Sequence, residues 1–235
     1  MAMGSGEKEV TTQRYSAILA DPPWAYRNFG GSTSGCRVRI HGNPLGHYST
    51  MSDEDIAAIP VSSWAPESAV LFLWATWPRL EAAFRVMPAW GFPEYVTAIP
   101  WVKTIPSSRT IYRGVGVWTM GASEVLLIAR RGNIAIQHEK TGKQIGLLLS
   151  DPPVFYAPRS EHSRKPTEIH EWIERIMPDG PYLELFARRP RAGWVTWGNE
   201  LGFHLSAAGV APCELPDTPM PLFESKPAAT GREHG

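Results

Sequence analysis

The residues most suited to chemistry lie together in one tetrad, Asp21-Pro22-Pro23-Trp24. Its two prolines fix the backbone and remove two N–H donors, leaving carbonyls to accept beside a carboxylate and a large aromatic ring. Those groups suit a flat ring that carries an exocyclic amine. Asp21 accepts one amine hydrogen, the Pro22 carbonyl accepts the other, and Trp24 stacks on the ring face. With both hydrogens held, the nitrogen lone pair points out of the ring plane toward an incoming electrophile. The bland alternative is a turn with a packed tryptophan. A second Asp-Pro-Pro, at Asp151-Pro152-Pro153-Val154, lacks the aromatic and reads as that kind of turn.

The tetrad needs a strand to hold it. Tyr15 to Ala20 is short and apolar and runs straight into Asp21, which predicts a buried strand ending at a loop. Further strands are predicted at Ala69 to Trp74, Tyr95 to Val102, Glu124 to Ala129, Tyr182 to Phe186 and Trp194 to Trp197. Ser52 with Asp55 resembles a capping box that opens a short helix through Ile59. Leu80, Ala83, Phe84 and Met87 give one apolar helix face, with Gly91 placed to end it. A second amphipathic helix starts at Pro166 and carries Ile169, Trp172, Ile173 and Ile176. Strands alternating with helices predict an α/β sandwich around a mostly parallel sheet. Ligands then bind beyond the carboxyl ends of the strands, which places the loops after Ala20, Val102 and Phe186 on one rim.

The chain has 235 residues, 43% of them hydrophobic and 20% charged, enough apolar material for a real core. We divide it into a flexible N-terminus at 1–14, one domain at 15–210 and a disordered tail at 211–235 that holds five prolines. No run approaches the roughly 18 to 20 apolar residues of a membrane span, and the N-terminus has no apolar signal core. The expected setting is the cytoplasm, with no membrane partner. Cys36 and Cys213 lie far apart, and the histidines form no HxxxH pair, so neither a disulfide framework nor a metal site is expected.

Formal net charge is zero, which excludes a strong uniform field for gripping nucleic acid. The distribution is more telling. Of the 23 basic residues 17 are Arg, whose planar fork matches phosphate. Ala25 to Thr50 holds Arg27, Arg37 and Arg39 with no carboxylate, and Thr104 to Trp118 holds Arg109 and Arg113 with none. These two loops read as phosphate contacts or simply as solvated loops. The tryptophans at 64, 74, 77, 90, 118 and 172 read as core, whereas Trp101 and Trp118 flank the acid-free loop.

Beyond the tetrad, the motifs HYSTMSDEDI (47–56), LFLWAT (71–76), WVKT (101–104), EHSRKP (161–166), LELFARR (183–189) and GWVTWGNE (193–200) follow in order. With ADPPW at 20–24, this series resembles the MT-A family of adenine-N6 methyltransferases, which includes bacterial and phage members. The resemblance implies a Rossmann-like S-adenosylmethionine-dependent methyltransferase sheet in a permuted order, the DPPW segment preceding the main cofactor segment. It implies S-adenosylmethionine as donor and an adenine 6-amino group as acceptor. DNA is favoured as in a bacterial or phage-like member; RNA is the alternative, and a non-catalytic nucleic-acid-binding paralogue a more distant one. Oligomeric state, monomer or homodimer, is left open.

The same resemblance assigns residues. Asp21, Pro22, Pro23 and Trp24 match the acceptor tetrad, with Asp21 also near the cofactor. Tyr48 matches an active-site-loop tyrosine, and Lys103 sits at the entry of the second loop; Arg37, Arg39, Arg109 and Arg113 are expected to grip substrate phosphates. Glu184, Leu185 and Arg188 match the strand end along the cofactor, and Asn199 with Glu200 matches the pair that holds its ribose, Glu200 standing where a relative has Gln. His162, Ser163 and Lys165 are expected to brace the tetrad, with Ser163 otherwise a helix cap. The sequence departs from the family at Ser123, where a relative has lysine, and at Arg188-Arg189-Pro190-Arg191, where it has Arg-Pro-His-Asn. Arg189 or Arg191 is therefore expected to take over the methionine carboxylate.

Overall fold

The computed structural model describes residues 14–25, 50–108, 110–114, 119–134, 136–137, 144–145, 154–159, 164–198 and 202–205. The expected N-terminal arm, the Pro-rich tail and the second Asp-Pro-Pro at 151–153 lie outside them. The chain builds an α/β sheet of eight strands. β1 (Ala17–Ala20) and β2 (Ala69–Ala75) are apolar without a break because they are buried on both faces. β3 (Glu94–Thr104) and β4 (Ser123–Arg131) form a long hairpin, and a minor two-stranded ribbon, β5 (Ile136–Gln137) with β6 (Gln144–Ile145), follows. β7 (Phe155–Pro158), β8 (Tyr182–Leu185), β9 (Trp194–Gly198) and β10 (Gly202–Leu205) complete the sheet, in the order β10-β9-β8-β1-β2-β4-β3-β7.

The sheet of the described residues is mostly parallel, as expected, with two reversed strands. β1, β2, β8 and β9 run parallel, but β4 lies antiparallel between β2 and β3, and β10 closes the far edge antiparallel to β9. The cause is the hairpin: β3 and β4 follow one another without a crossover helix, so they can only pair antiparallel. This reversal matters for function. β3 still runs the same way as β1, so the loops after β1, β3 and β8 do share one rim as expected. The start of β4, at Ser123 and Glu124, joins that same rim.

Helices cover both faces. α1 (Asp53–Ala57), α2 (Val61–Trp64) and α3 (Leu80–Ala89) pack through Ile56, Val61, Ala83 and Val86 onto one face, with Trp24 among them. Ser52 caps α1 by accepting the Asp55 N–H at 3.0 Å. The apolar face of α3 differs from the expected one. Ala82, Ala83, Val86 and Met87 are buried, whereas Phe84 is 43% exposed and turns outward to meet Tyr95 edge-on at 5.2 Å. α4 (Glu168–Ile176) covers the other face through the four predicted residues Ile169, Trp172, Ile173 and Ile176. Its N-cap is Thr167, preceded by Pro166; Ser163 lies outside the described residues. Trp172 meets Phe72 and Phe155 edge-on, at 5.9 and 6.1 Å.

One close approach shapes the rim. β8 ends at Phe186, whose φ of 63° turns the chain out of the strand, a conformation that a bulky residue adopts only under constraint. The chain then passes against the end of β9, where the Ala187 N–H donates to the Trp197 carbonyl at 2.9 Å. A Cβ at Gly198 would run into the Ala187 backbone, so only glycine lets these two segments touch. Gly198→Ala should therefore cost about 1–3 kcal/mol of stability in urea unfolding, the usual price of overpacking. An unchanged midpoint would show that the approach is looser than the geometry indicates.

Candidate active site at the carboxyl rim of the sheet

Asp21 continues the β1 ladder by one step, its N–H donating to the Leu185 carbonyl at 3.4 Å, and its carboxylate points to the α4 face. There the Lys165 ammonium, delivered just ahead of α4, donates to both carboxylate oxygens at 2.7 and 2.8 Å. Lys165 also reaches Glu124 Oε2 at 3.1 Å, and Glu124 Oε1 accepts from Lys103 Nζ at 2.5 Å. Four alternating charges from four separate segments thus form one chain: Asp21, Lys165, Glu124, Lys103. Aromatic faces floor it, with Lys103 Nζ 5.1 Å from the Trp101 ring and Lys165 Nζ 5.7 Å from the Trp74 ring.

The two carboxylates respond differently. Burial raises Asp21 above the ordinary aspartate value, Lys165 pulls it back, and the like charge of Glu124 pushes it up again. Burial acts on Glu124 in the same direction, but two lysines outweigh it and hold that carboxyl below its usual value. Burial would lower Lys165, yet the two carboxylates drive it upward, so it stays charged.

The tetrad itself departs from its sequence reading in two ways. The Pro22 carbonyl accepts the Trp24 N–H at 2.8 Å, and the Pro23 carbonyl accepts the Met51 N–H at 3.0 Å. Neither is left free, because the next N–H groups along the turn and across it need acceptors and take these. Each keeps a second lone pair. Trp24 is 5% exposed, its indole N–H donates to the Trp74 carbonyl at 3.0 Å, and the Arg79 guanidinium lies 5.9 Å from its ring centroid. Arg79 is itself paired with Asp53. Trp24 is a built-in wall rather than an open stacking platform, since a buried indole N–H must find an acceptor and that bond fixes the ring.

A cleft of about 180 Å³ opens beside Asp21, between the start of α4 and the loop after β8. Glu184 lines it and meets His170 Nε2 at 2.9 Å; Arg188 lines it too, and its charge helps to lower the Asp21 pKa. Leu185 is buried on the opposite face of the sheet, in the cluster packed by α1 and α3, and Arg189 is exposed at the mouth. Arg191 does not have the freedom expected of it. Its fork donates to both oxygens of Glu174, at 2.8 and 2.9 Å, and the Trp194 indole N–H shares that carboxylate at 2.7 Å.

Of the residues expected to grip substrate, Arg113 is exposed on the hairpin extension beyond β3 and β4. Lys103 turns inward to Glu124 instead of outward to a phosphate, because Lys165 is shared with Asp21 and cannot by itself balance two buried carboxylates. Arg37, Arg39, Tyr48, Arg109, His162, Asn199 and Glu200 lie outside the described residues. The sequence reading missed Glu124 and His170 as site residues. The signal was present for Glu124: a lone acid opening the apolar run EVLLIA must find a cation. Trp77, read as core, is half exposed at the rim.

Changing either partner of Asp21 should move its titration in opposite directions. Glu124→Gln removes a like charge, so the apparent pKa of the Asp21 carboxyl should fall; Lys165→Gln removes the counter-ion, so it should rise. A carbon-13 carboxyl titration reads both, and shifts of the same sign would refute the network. Lys165→Gln should also lower stability in urea by about 3 kcal/mol, the order seen when a buried pair loses one member.

Comparison with known proteins places this geometry. The MT-A70 family model matches residues 15–200. The MT-A70-like N(6)-adenosine-methyltransferase of Arabidopsis thaliana is 32% identical over 190 residues, covering 80% of this chain and 24% of that protein. The catalytic subunit METTL3 of the Homo sapiens N(6)-adenosine-methyltransferase is 32% identical over 198 residues, 82% of this chain and 29% of its own. The type II methyltransferase M.MunI of Mycoplasma sp is 25% identical over 205 residues, 82% of this chain and 80% of its own. The chain thus spans about a quarter of the length of the plant relatives and four fifths of M.MunI. Its sheet is of the Rossmann-like kind found in S-adenosylmethionine-dependent methyltransferases, and the chain belongs to the MT-A70 family.

Proposed function

We propose that this protein transfers a methyl group from S-adenosylmethionine to the 6-amino nitrogen of adenine in DNA. The observation that carries the reading is the Asp21 carboxylate, bonded through both oxygens by Lys165 at a strand end and opening onto a cleft. The donor set of that cleft fits the cofactor. Arg188 offers a cation to a carboxylate, Glu184 and Asp21 offer acceptors to an ammonium or to hydroxyls, and Phe186 adds apolar wall. The Nδ1 atom of His170, buried without a partner, leaves one polar group at this wall still to be satisfied. Arg189 is the better candidate for the methionine carboxylate than Arg191, whose fork is spent on Glu174.

When bound, S-adenosylmethionine supplies an electrophilic methyl on a sulfonium. The chain's own part is orientation and charge. Asp21 accepts one hydrogen of the acceptor amine, and the second lone pair of the Pro22 carbonyl accepts the other. Trp24, locked by Trp74, fixes the turn that carries both acceptors. Transfer would form the C–N bond as the sulfonium's C–S bond breaks and the neutral thioether departs, and the amine proton, made acidic, would leave toward Asp21 or water. Asp21 need not be a strong base for this, and Lys165 opposes the pull of burial toward protonation. An adenine in duplex would have to leave the stack, at a cost of about a few kcal/mol; a single strand avoids that.

DNA is favoured because the chain matches most of M.MunI, a compact type II methyltransferase, and DNA is the acceptor expected of bacterial and phage members. The second reading, adenosine in RNA, is favoured by the higher identity to the N(6)-adenosine-methyltransferases. The test is methyl transfer from labelled cofactor to matched single-stranded DNA, duplex DNA and RNA, with nucleoside digestion. The expected product is N6-methyladenine on DNA, reduced at least about a hundredfold in Asp21→Ala, as for loss of a positioned acceptor. Label confined to RNA would replace the acceptor. Cofactor binding with no label on any nucleic acid would overturn the activity.

A further inference from the structure

Trp77 follows β2 in a single 3-10 turn, Trp77–Arg79, and is 49% exposed. It belongs to neither apolar cluster of the sheet. A tryptophan left half in water forgoes most of what burial would contribute, so its position is informative only if something else fixes it. Three contacts do. Its indole N–H donates to Ser123 Oγ at 2.8 Å, Pro78 stiffens the next step, and Arg79 is anchored to Asp53. The ring is pinned at its edge while part of its surface stays open.

Its place is equally specific. Ala20 stands opposite Leu73 on parallel strands, so Asp21 and Trp77 leave neighbouring strands at the same rim. Along β4, Ser123 and Glu124 point to opposite faces of the sheet. Glu124 joins Lys165 and Asp21 on the α4 face, so Trp77, held by Ser123, belongs to the other face, the side of Trp24. The hairpin extension that follows β3 and leads into β4 at the same rim carries exposed apolar residues: Met120, 62% exposed, precedes Ser123 by three positions, and Ile111 bridges to Thr104. Arg113 is exposed there as well. A fixed aromatic with apolar neighbours and a cation is the combination that binds single-stranded nucleic acid, bases on rings and phosphates on cations.

We propose that Trp77 is the stacking platform for the nucleobase next to the target adenine. This rests on the proposed nucleic-acid acceptor. The target amine is held by Asp21 and Pro22 on one side of the sheet end, and the adjoining base lies against the open surface of Trp77. Trp24, buried and bonded, does not serve this purpose; Trp77 takes the role that the sequence assigned to Trp24.

The experiment uses the full chain and short single-stranded oligonucleotides with one adenine, intact or with an abasic site beside it. Wild type, Trp77→Phe, Trp77→Ala and Ser123→Ala are compared for KM, kcat, cofactor affinity and thermal unfolding. Trp77→Ala should raise KM for the oligonucleotide roughly tenfold to a hundredfold, the order of one lost base–aromatic stack, with kcat and cofactor affinity within about threefold. Trp77→Phe, which keeps a ring but loses the N–H, should retain most of the affinity. An abasic neighbour should penalise wild type but add little to the Trp77→Ala penalty. Equal abasic penalties in wild type and Trp77→Ala would overturn the proposal, as would an unchanged KM or a loss that follows the melting temperature. A wild type that methylates no oligonucleotide would instead refute the acceptor reading itself; normal methylation with an indifferent Trp77→Ala refutes the platform alone.

Discussion

Two carboxylates sharing one buried lysine set the conditions for everything else at this rim. Asp21 and Glu124 would repel one another and neither is well hydrated, so both depend on Lys165 between them. That dependence links segments far apart in sequence, since Asp21 ends β1, Glu124 opens β4 and Lys165 precedes α4. It also explains the direction of Lys103, which completes the charge balance of Glu124 rather than facing solvent. The arrangement gives Asp21 an intermediate character. Its carboxyl is shifted toward protonation by burial and toward ionisation by its neighbour, which suits a group that must accept a hydrogen bond without holding a proton tightly.

The mixed sheet is what makes this possible. In a wholly parallel sheet every strand would reach the rim by its carboxyl end. The antiparallel β4 brings an amino end there instead, and with it Ser123 and Glu124 side by side on opposite faces. Glu124 serves the charge chain on the α4 face, while Ser123 anchors Trp77 on the other. One dipeptide at the start of one reversed strand thus supports both sides of the site. The loop after β8 is controlled separately, by the turn at Phe186 and the close passage of Ala187 over Gly198.

Much of this was legible in the sequence, for reasons that differ by residue. β1, β2 and the buried side of α4 were readable because full burial demands unbroken apolar runs or strict helical spacing, and β8 because its buried residues alternate. The tetrad stood out because two prolines beside a carboxylate have few purposes. The face of α3 was misjudged because periodicity around Phe84 fits two neighbouring stripes, and only contact with Tyr95 decides between them. The mostly parallel sheet was legible from the alternation of strands and helices, but the two reversed strands, β4 and β10, were not, because a strand run carries no arrow. Arg191 and Lys103 were assigned to ligands because a cation in a loop or at a strand end looks alike whether it faces solvent or a buried acid. Here each cation pairs with an acid, Arg191 with Glu174 and Lys103 with Glu124, and both acids are distant in sequence from the cations they hold.

The two tryptophans best illustrate the remaining gap. Sequence reasoning gave Trp24 the open role because it stands next to Asp21, and gave Trp77 a packing role because it follows a buried strand. Geometry buries Trp24 and leaves Trp77 half exposed. A residue immediately after a rigid turn is drawn back across the sheet end, and the Trp74 carbonyl waiting there captures the Trp24 indole. A residue in a turn beyond the last ladder bond has no core left to enter, so Trp77 can be fixed only by its edge. Adjacency along the chain therefore predicts which residue shapes the acceptor turn. It does not predict which ring remains available to a ligand, because that depends on where each buried N–H finds its acceptor.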